Sequence, residues 1–82
     1  MNRTELREAV LATLLSIAPE VEPDQLAGAR TLREQVDLDS MDWLNFLIAL
    51  KERTGVDIPE ADYRKLTTLD VLVDYLATRL GA

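Results

Sequence analysis

Apolar residues recur in this chain at three- and four-residue intervals, in separate stretches, and nowhere alternate in the two-residue rhythm of a strand. That pattern admits an all-α fold and little else. The first stretch is Leu6, Val10, Leu14 and Ile17, widened by Leu11 and Leu15. Asn2 and Glu5 stand ahead of it at capping-box spacing and Pro19 stops it, which predicts a helix over about 4–18. A second helix starts where Asp39 or Ser40 can cap it, continues to about Arg53 and ends at Gly55 in a left-handed cap. Pro59 suits the first position of a short third helix, about 59–65. Thr67 and Asp70 have the form of another capping box, ahead of a fourth helix carrying Leu69, Leu72, Val73, Leu76 and Leu80 inward. Residues 19–39 contain Pro19, Pro23 and Gly28 and keep no sustained period. They read as a long loop with one helical turn near 24–26, pinned by Leu26, Leu32 and Val36. The expected fold is therefore all-α: a small four-helix bundle with a long loop between helices 1 and 2 and a short helix 3.

Eighty-two residues allow one domain, 1–82, with one modest core. Because it opens on Met1 and stops soon after the last helix, the chain is expected to be free-standing. It has no cysteine and no histidine. Disulfides and thiolate metal sites are thereby excluded, and so is the usual general base near neutral pH. Ser40 also fails the nucleophile-elbow pattern, since Leu38 and Asp42 stand where glycines belong. A calcium loop counted from Asp37 fails too, because its fifth, sixth and twelfth positions hold Met41, Asp42 and Ile48. No enzyme and no metal site is expected. The apolar run Phe46–Leu50 is far too short to span a membrane, and the first residues lack a signal-peptide pattern, so a cytoplasmic monomer is the expectation.

The net charge is −6, and its placement matters more than its size. Between Glu34 and Asp62 lie Glu34, Asp37, Asp39, Asp42, Glu52, Asp57, Glu60 and Asp62, against only Lys51 and Arg53. The rest of the chain is balanced. A nucleic-acid ligand needs the opposite sign, whereas basic protein surfaces complement this one, and their association should slow as salt rises. Ser40 lies inside the acidic segment at the mouth of a helix, where the dipole and the first-turn N–H groups favour a phosphate esterified to it. It reads as a group that receives chemistry.

On the second helix, Asp42, Asn45, Ala49, Glu52 and Arg53 gather on one side and Trp43, Phe46, Leu47 and Leu50 on another, with Met41, Leu44 and Ile48 on the flank. The apolar arc exceeds half the circumference. Either all of it is core, or Met41, Leu44 and Ile48 are exposed beside Ser40 as a partner-binding patch.

With Ser40 so placed, the sequence resembles the acyl carrier proteins. The residues carrying the resemblance are Asp39-Ser40-Met41-Asp42, Ile48-Ala49-Leu50-Lys51-Glu52, Asp57-Ile58-Pro59-Glu60, Leu66-Thr67-Thr68-Leu69 and Asp74-Tyr75-Leu76. The resemblance implies that a phosphopantetheinyl transferase moves 4′-phosphopantetheine from coenzyme A onto Ser40, making a phosphoprotein whose terminal thiol carries acyl groups as thioesters between enzymes. By the same resemblance Asp39 helps present Ser40 to the transferase. Met41, Asp42, Leu44, Asn45, Ile48 and Glu52 would line the face read by acyl-loading and acyl-processing partners with basic docking surfaces. The pathway implied is fatty-acid, polyketide or specialised acyl biosynthesis, and an aminoacyl or peptidyl carrier stays open. An adaptor of unmodified helices, with Ser40 only a cap, is the rival from another class.

Three positions depart from the family's pattern. Asp37 stands where the family usually has glycine. Asn45 and Lys51 replace acids usual in fatty-acid carriers. Trp43, three residues past Ser40, replaces a smaller side chain. Trp43, with Phe46 and Leu50, is a candidate for the region where such carriers hold acyl chains, and its bulk is expected to leave little room for a long one. Simple core packing is the alternative reading of the same indole.

Overall fold

A computed structural model describes residues 2–81. Met1 and Ala82, the ends on which the expectation of a free-standing chain rests, lie outside the described residues. Four α-helices form the body: α1 Arg3–Ile17, α2 Leu32–Gln35, α3 Ser40–Thr54 and α4 Leu69–Leu80. Two 3₁₀ segments, Pro23–Gln25 and Glu60–Lys65, lie in the connections. α1 packs against both α3 and α4. The molecule measures 31 × 26 × 20 Å.

The helix ends follow from the chain's own chemistry. Asn2 accepts from the Glu5 N–H at 2.8 Å and the Glu5 carboxylate accepts from the Asn2 N–H at 3.3 Å, the capping box expected at α1. α3 ends at Gly55, whose φ of +73° disfavours any residue with a Cβ. α4 departs from expectation by one residue: Thr68, not Thr67, is its cap, accepting from the Val71 N–H at 3.1 Å. Asp70 then cannot close a capping box. Its N–H instead donates to the Gly28 carbonyl at 3.1 Å, while the Thr67 carbonyl accepts from the Leu32 N–H at 2.9 Å. The reason is tertiary, because the long loop supplies acceptors and donors that a local box would otherwise provide. Pro59 likewise caps the third helical segment from outside, and that segment is 3₁₀ rather than α.

The long connection is more ordered than its composition suggests. α2 occupies part of it, a helix missed from sequence because four residues cannot display a period. Gln35 knits the loop together. Its amide accepts from the Ala27 N–H at 2.6 Å and donates to the carbonyls of Ala27 at 2.9 Å and Arg30 at 3.1 Å. Leu32 and Val36 are buried as expected and Leu26 is half-buried. A short antiparallel bridge between Thr31 and Thr68 ties α2 to the start of α4.

One core collects Leu6, Val10 and Leu14 of α1, Phe46, Leu47 and Leu50 of α3, and Leu69, Leu72, Val73 and Leu76 of α4. Leu32, Leu38, Val56, Ile58 and Leu66 close it from the connections. Leu80 does not join it. At 42% exposure it faces solvent in the last turn of α4, which closes in a left-handed cap at Gly81, and Ala77 is buried in its place. Thr13, the one polar residue buried among those described, donates its hydroxyl to the Ala9 carbonyl at 2.8 Å. Among the described residues, no helix is long and apolar enough to cross a membrane.

Candidate functional site

Ser40 is exposed and is the first residue of α3. Of the two residues able to cap this helix, Asp39 takes the role: its backbone is extended, and its carboxylate accepts from the Asp42 N–H at 2.8 Å. The approach to Ser40 is anchored from inside by Val36 and Leu38, each about 95% buried, with Asp37 turned outward between them. The Leu38 N–H donates to the Val36 carbonyl at 2.8 Å, and the Leu38 carbonyl accepts from Arg33 Nε at 3.4 Å. Asp37 keeps a negative φ. The corner before Ser40 therefore does not require glycine, and the aspartate there adds charge without adding backbone strain.

This arrangement presents a hydroxyl on a fixed corner. A phosphate esterified to it would meet the first-turn N–H groups of a fifteen-residue helix. The carboxylates of Asp37, Asp39 and Asp42 make the same corner acidic, which opposes a bound anion and attracts a basic protein.

The apolar arc of α3 is not all core. Met41 is 64% exposed and Ile48 43% exposed, with Leu44 half-buried between them. Spaced at three and four residues, they form one stripe beginning at Ser40's neighbour. Asn45 and Glu52 are exposed alongside it and Asp42 is half-buried. The three residues singled out as an acyl region do not share one environment. Phe46 and Leu50 are fully buried, whereas Trp43 is half-buried, its ring tilted on Phe46 at 5.3 Å between centroids. Trp43 lines an open groove of about 250 Å³ with Thr31, Arg33, Tyr63, Arg64 and Thr67. Nothing in the sequence pattern joins these five to Trp43, since they come from α2, the second 3₁₀ segment and the turn before α4.

The acidic segment is less uniform than its composition. Asp57 pairs with Lys51 at 3.2 Å on the surface. Asp62 is drawn inward, its side chain 18% exposed, and accepts from the Tyr75 hydroxyl at 2.7 Å, with Arg79 at 3.3 Å and Lys65 at 3.6 Å. The Tyr75 hydrogen bond holds the Asp62 carboxyl below the usual aspartate range, opposed by burial and reinforced by Lys65 and Arg79. Burial pushes the Tyr75 phenol up, and its bond to Asp62 adds to that. Arg79 also stacks over the Tyr75 ring at 4.5 Å. This cluster ties the second 3₁₀ segment to α4. Asp62 is thus a structural tie, and the exposed acids of the segment that take no part in an ion pair among the described residues are Glu34, Asp37, Asp39, Glu52 and Glu60. Among the described residues, no three His, Cys, Asp or Glu side chains are grouped to hold a metal ion.

The family model described as the phosphopantetheine attachment site matches residues 6–76. The chain is 29% identical to an acyl carrier protein of Thermosynechococcus vestitus over 82 residues, covering all of both chains. It is also 29% identical to an acyl carrier protein of Rubrobacter xylanophilus, over 85% of this chain and 90% of that one. The solved structure of an acyl carrier protein from Enterococcus faecalis superposes with a TM-score of 0.75 at 23% identity, covering 96% of this chain and 99% of the other. That likeness establishes the bundle fold.

Proposed function

The chain belongs to the phosphopantetheine-attachment family, and on that premise we propose that it is an acyl carrier protein, a single domain bearing 4′-phosphopantetheine on Ser40. The observation that carries the residue assignment is the exposure of Ser40 at the first position of α3, on a corner anchored by Val36 and Leu38. When bound, the group supplies a terminal thiol for acyl cargo, which a chain without cysteine lacks. The chain's own residues do the rest. Asp39 holds the first turn so that Ser40 stays presented, and the α3 dipole offsets the phosphate charge.

The protein is a carrier and not a catalyst, serving other enzymes as a covalent cosubstrate. The stripe of exposed Met41 and Ile48 with half-buried Leu44 between them, edged by Asp42, Asn45 and Glu52, is the face we assign to the transferase and the acyl-processing enzymes. Acids around it suit basic docking surfaces and fast, short-lived complexes. The proposal includes a monomeric state and a cytoplasmic location, which gel filtration and cell fractionation test. Coenzyme A and a broad-specificity phosphopantetheinyl transferase should raise the intact mass by one arm, and Ser40→Ala should abolish the gain with its helical circular dichroism unchanged. An unmodified wild-type chain beside an active control substrate would favour the unmodified adaptor.

A further inference from the structure

Asp37 stands where the family usually has glycine, yet its backbone asks for no special residue. Its surroundings give the carboxylate a use. Asp37 lines an open groove of about 470 Å³ between the long connection and α2. Glu20, Glu22 and Glu34 line it as well, against the single cation of Arg30. All four acids are exposed, and none takes part in an ion pair among the described residues. Apolar surface accompanies the charges. Val21 and Leu26 are half-buried against the core, and Val36 is buried. Gln35, also in the lining, fixes the loop through its bonds to Ala27 and Arg30, so the groove is formed before anything enters it.

Four carboxylates against one arginine disfavour an anionic ligand. A metal ion does not suit the site either, because the acids are spread out: among the described residues no three are grouped to hold one. Spread acids suit cations that are themselves spaced, as lysines and arginines are along a polypeptide. The apolar surface suits a leucine-like side chain carried on the same segment. The groove also adjoins the modification site. Asp37 and Ser40 are three residues apart, at most about 11 Å of chain. The α3 stripe starts on the other side of the serine in sequence, at Met41. The two surfaces therefore flank Ser40 along the chain.

We propose that this groove is a second docking surface, occupied by a basic segment of an acyl-processing enzyme. An apolar side chain of that segment packs against Val21 and Leu26 while its cations meet the surrounding carboxylates. Asp37 is the acid that joins the groove to the corner bearing Ser40. The proposal rests on the carrier reading above, in which a partner enzyme must approach that serine.

The probe is a synthetic peptide of lysines and leucines, titrated into the full chain with and without the arm. Two control peptides carry serine for each leucine or glutamate for each lysine. The lysine–leucine peptide should shift the Val21 and Leu26 methyl NMR signals, and both controls should bind more weakly. Removing two exposed ion pairs corresponds to roughly twofold to thirtyfold weaker binding, the loss expected in Glu34→Gln/Asp37→Asn. Glu8→Gln/Glu60→Gln removes the same charge from exposed positions outside the groove and should weaken binding much less. All four substitutions replace exposed side chains, and circular dichroism checks that the variants stay folded. Shifts confined to Met41 and Ile48, an equal loss in the two double variants, or equal binding of the serine peptide would overturn the assignment. The peptide would then be answering the α3 stripe, the overall charge or the acids alone. Intact mass follows attachment of the arm separately. A wild-type chain that accepts no arm overturns the carrier reading and this inference with it, whereas attachment without peptide binding overturns the groove assignment alone.

Discussion

Asp39 caps α3, and a pair of substitutions can separate that role from the transferase recognition we propose for it. Its carboxylate caps α3 by accepting from the Asp42 N–H at 2.8 Å, and its charge lies next to Ser40, the residue we propose the transferase modifies. Asp39→Ala removes both. Loss of an N-cap costs about 1 kcal/mol, within a range of roughly 0.5–2. In a domain of this size that lowers Tm by about 4–8 °C per kcal/mol. Asp39→Asn keeps an oxygen in the same place, and asparagine caps as well as aspartate does. It forfeits only the interaction of a full charge with the helix dipole, about 0.3–1 kcal/mol at an exposed site. Thermal melts followed by circular dichroism should therefore rank wild type above Asn and Asn above Ala. Transfer of the arm to Ser40, followed by intact mass, should rank differently. If the transferase reads the charge, Asn and Ala should slow comparably although their stabilities differ. Transfer by the Asn variant at the wild-type rate, with Ala alone impaired, would refute the recognition role and leave Asp39 as a cap.

Three other outcomes follow from the same structure. Asp62 has its carboxyl pKa lowered from the ordinary 3.8, so its contribution to stability is full above that pH and is lost as pH falls through the lower folded value. The stability gap between wild type and Asp62→Asn should accordingly be level near neutrality and close in acid, and a gap independent of pH in urea titrations would contradict the Tyr75–Asp62–Arg79 tie. Met41→Ala and Ile48→Ala remove exposed side chains and should move folding stability by no more than about 0.5 kcal/mol. If the stripe is the docking face, the transferase KM should rise by up to about tenfold in these variants, and an unchanged KM would place docking elsewhere. Loading an octanoyl arm should leave the NMR signals of the fully buried Phe46 and Leu50 largely unmoved, because Trp43 packs on Phe46 between the groove and the core. Strong chain-length-dependent shifts at those two residues would show that the long chain enters the bundle after all.

Much of this molecule was legible in its residues because the signals were local. Helix α1, its capping box and its stop need only neighbours along the chain, and so does the left-handed end of α3 at Gly55. The position of Ser40 at a helix start is of the same kind, as is the crowding of acids around it. The even choice between a wholly buried arc and an exposed stripe on α3 was not decidable at that level. Periodicity says which residues share a face, whereas exposure depends on how many helices cover it. α1 packs on α3, and Met41 and Ile48 stay uncovered.

The larger surprises all involve partners distant in sequence. The cap of α4 shifted to Thr68 because Gly28 and Leu32 reach its first turn from the long loop. Asp62 left the acidic surface because Tyr75 and Arg79, more than a turn of chain away on α4, present a donor and a charge to it. Arg33 from α2 and Tyr63 and Arg64 from the second 3₁₀ segment come together at Trp43 of α3, though these three segments carry no common rhythm. Caps, stops and helical stripes depend on atoms a few residues apart, and the order of residues along the chain reports them. Which carboxylate is paired, which apolar face is bare and which cations share a cavity depend on chain closure in three dimensions, and only the folded structure decides those.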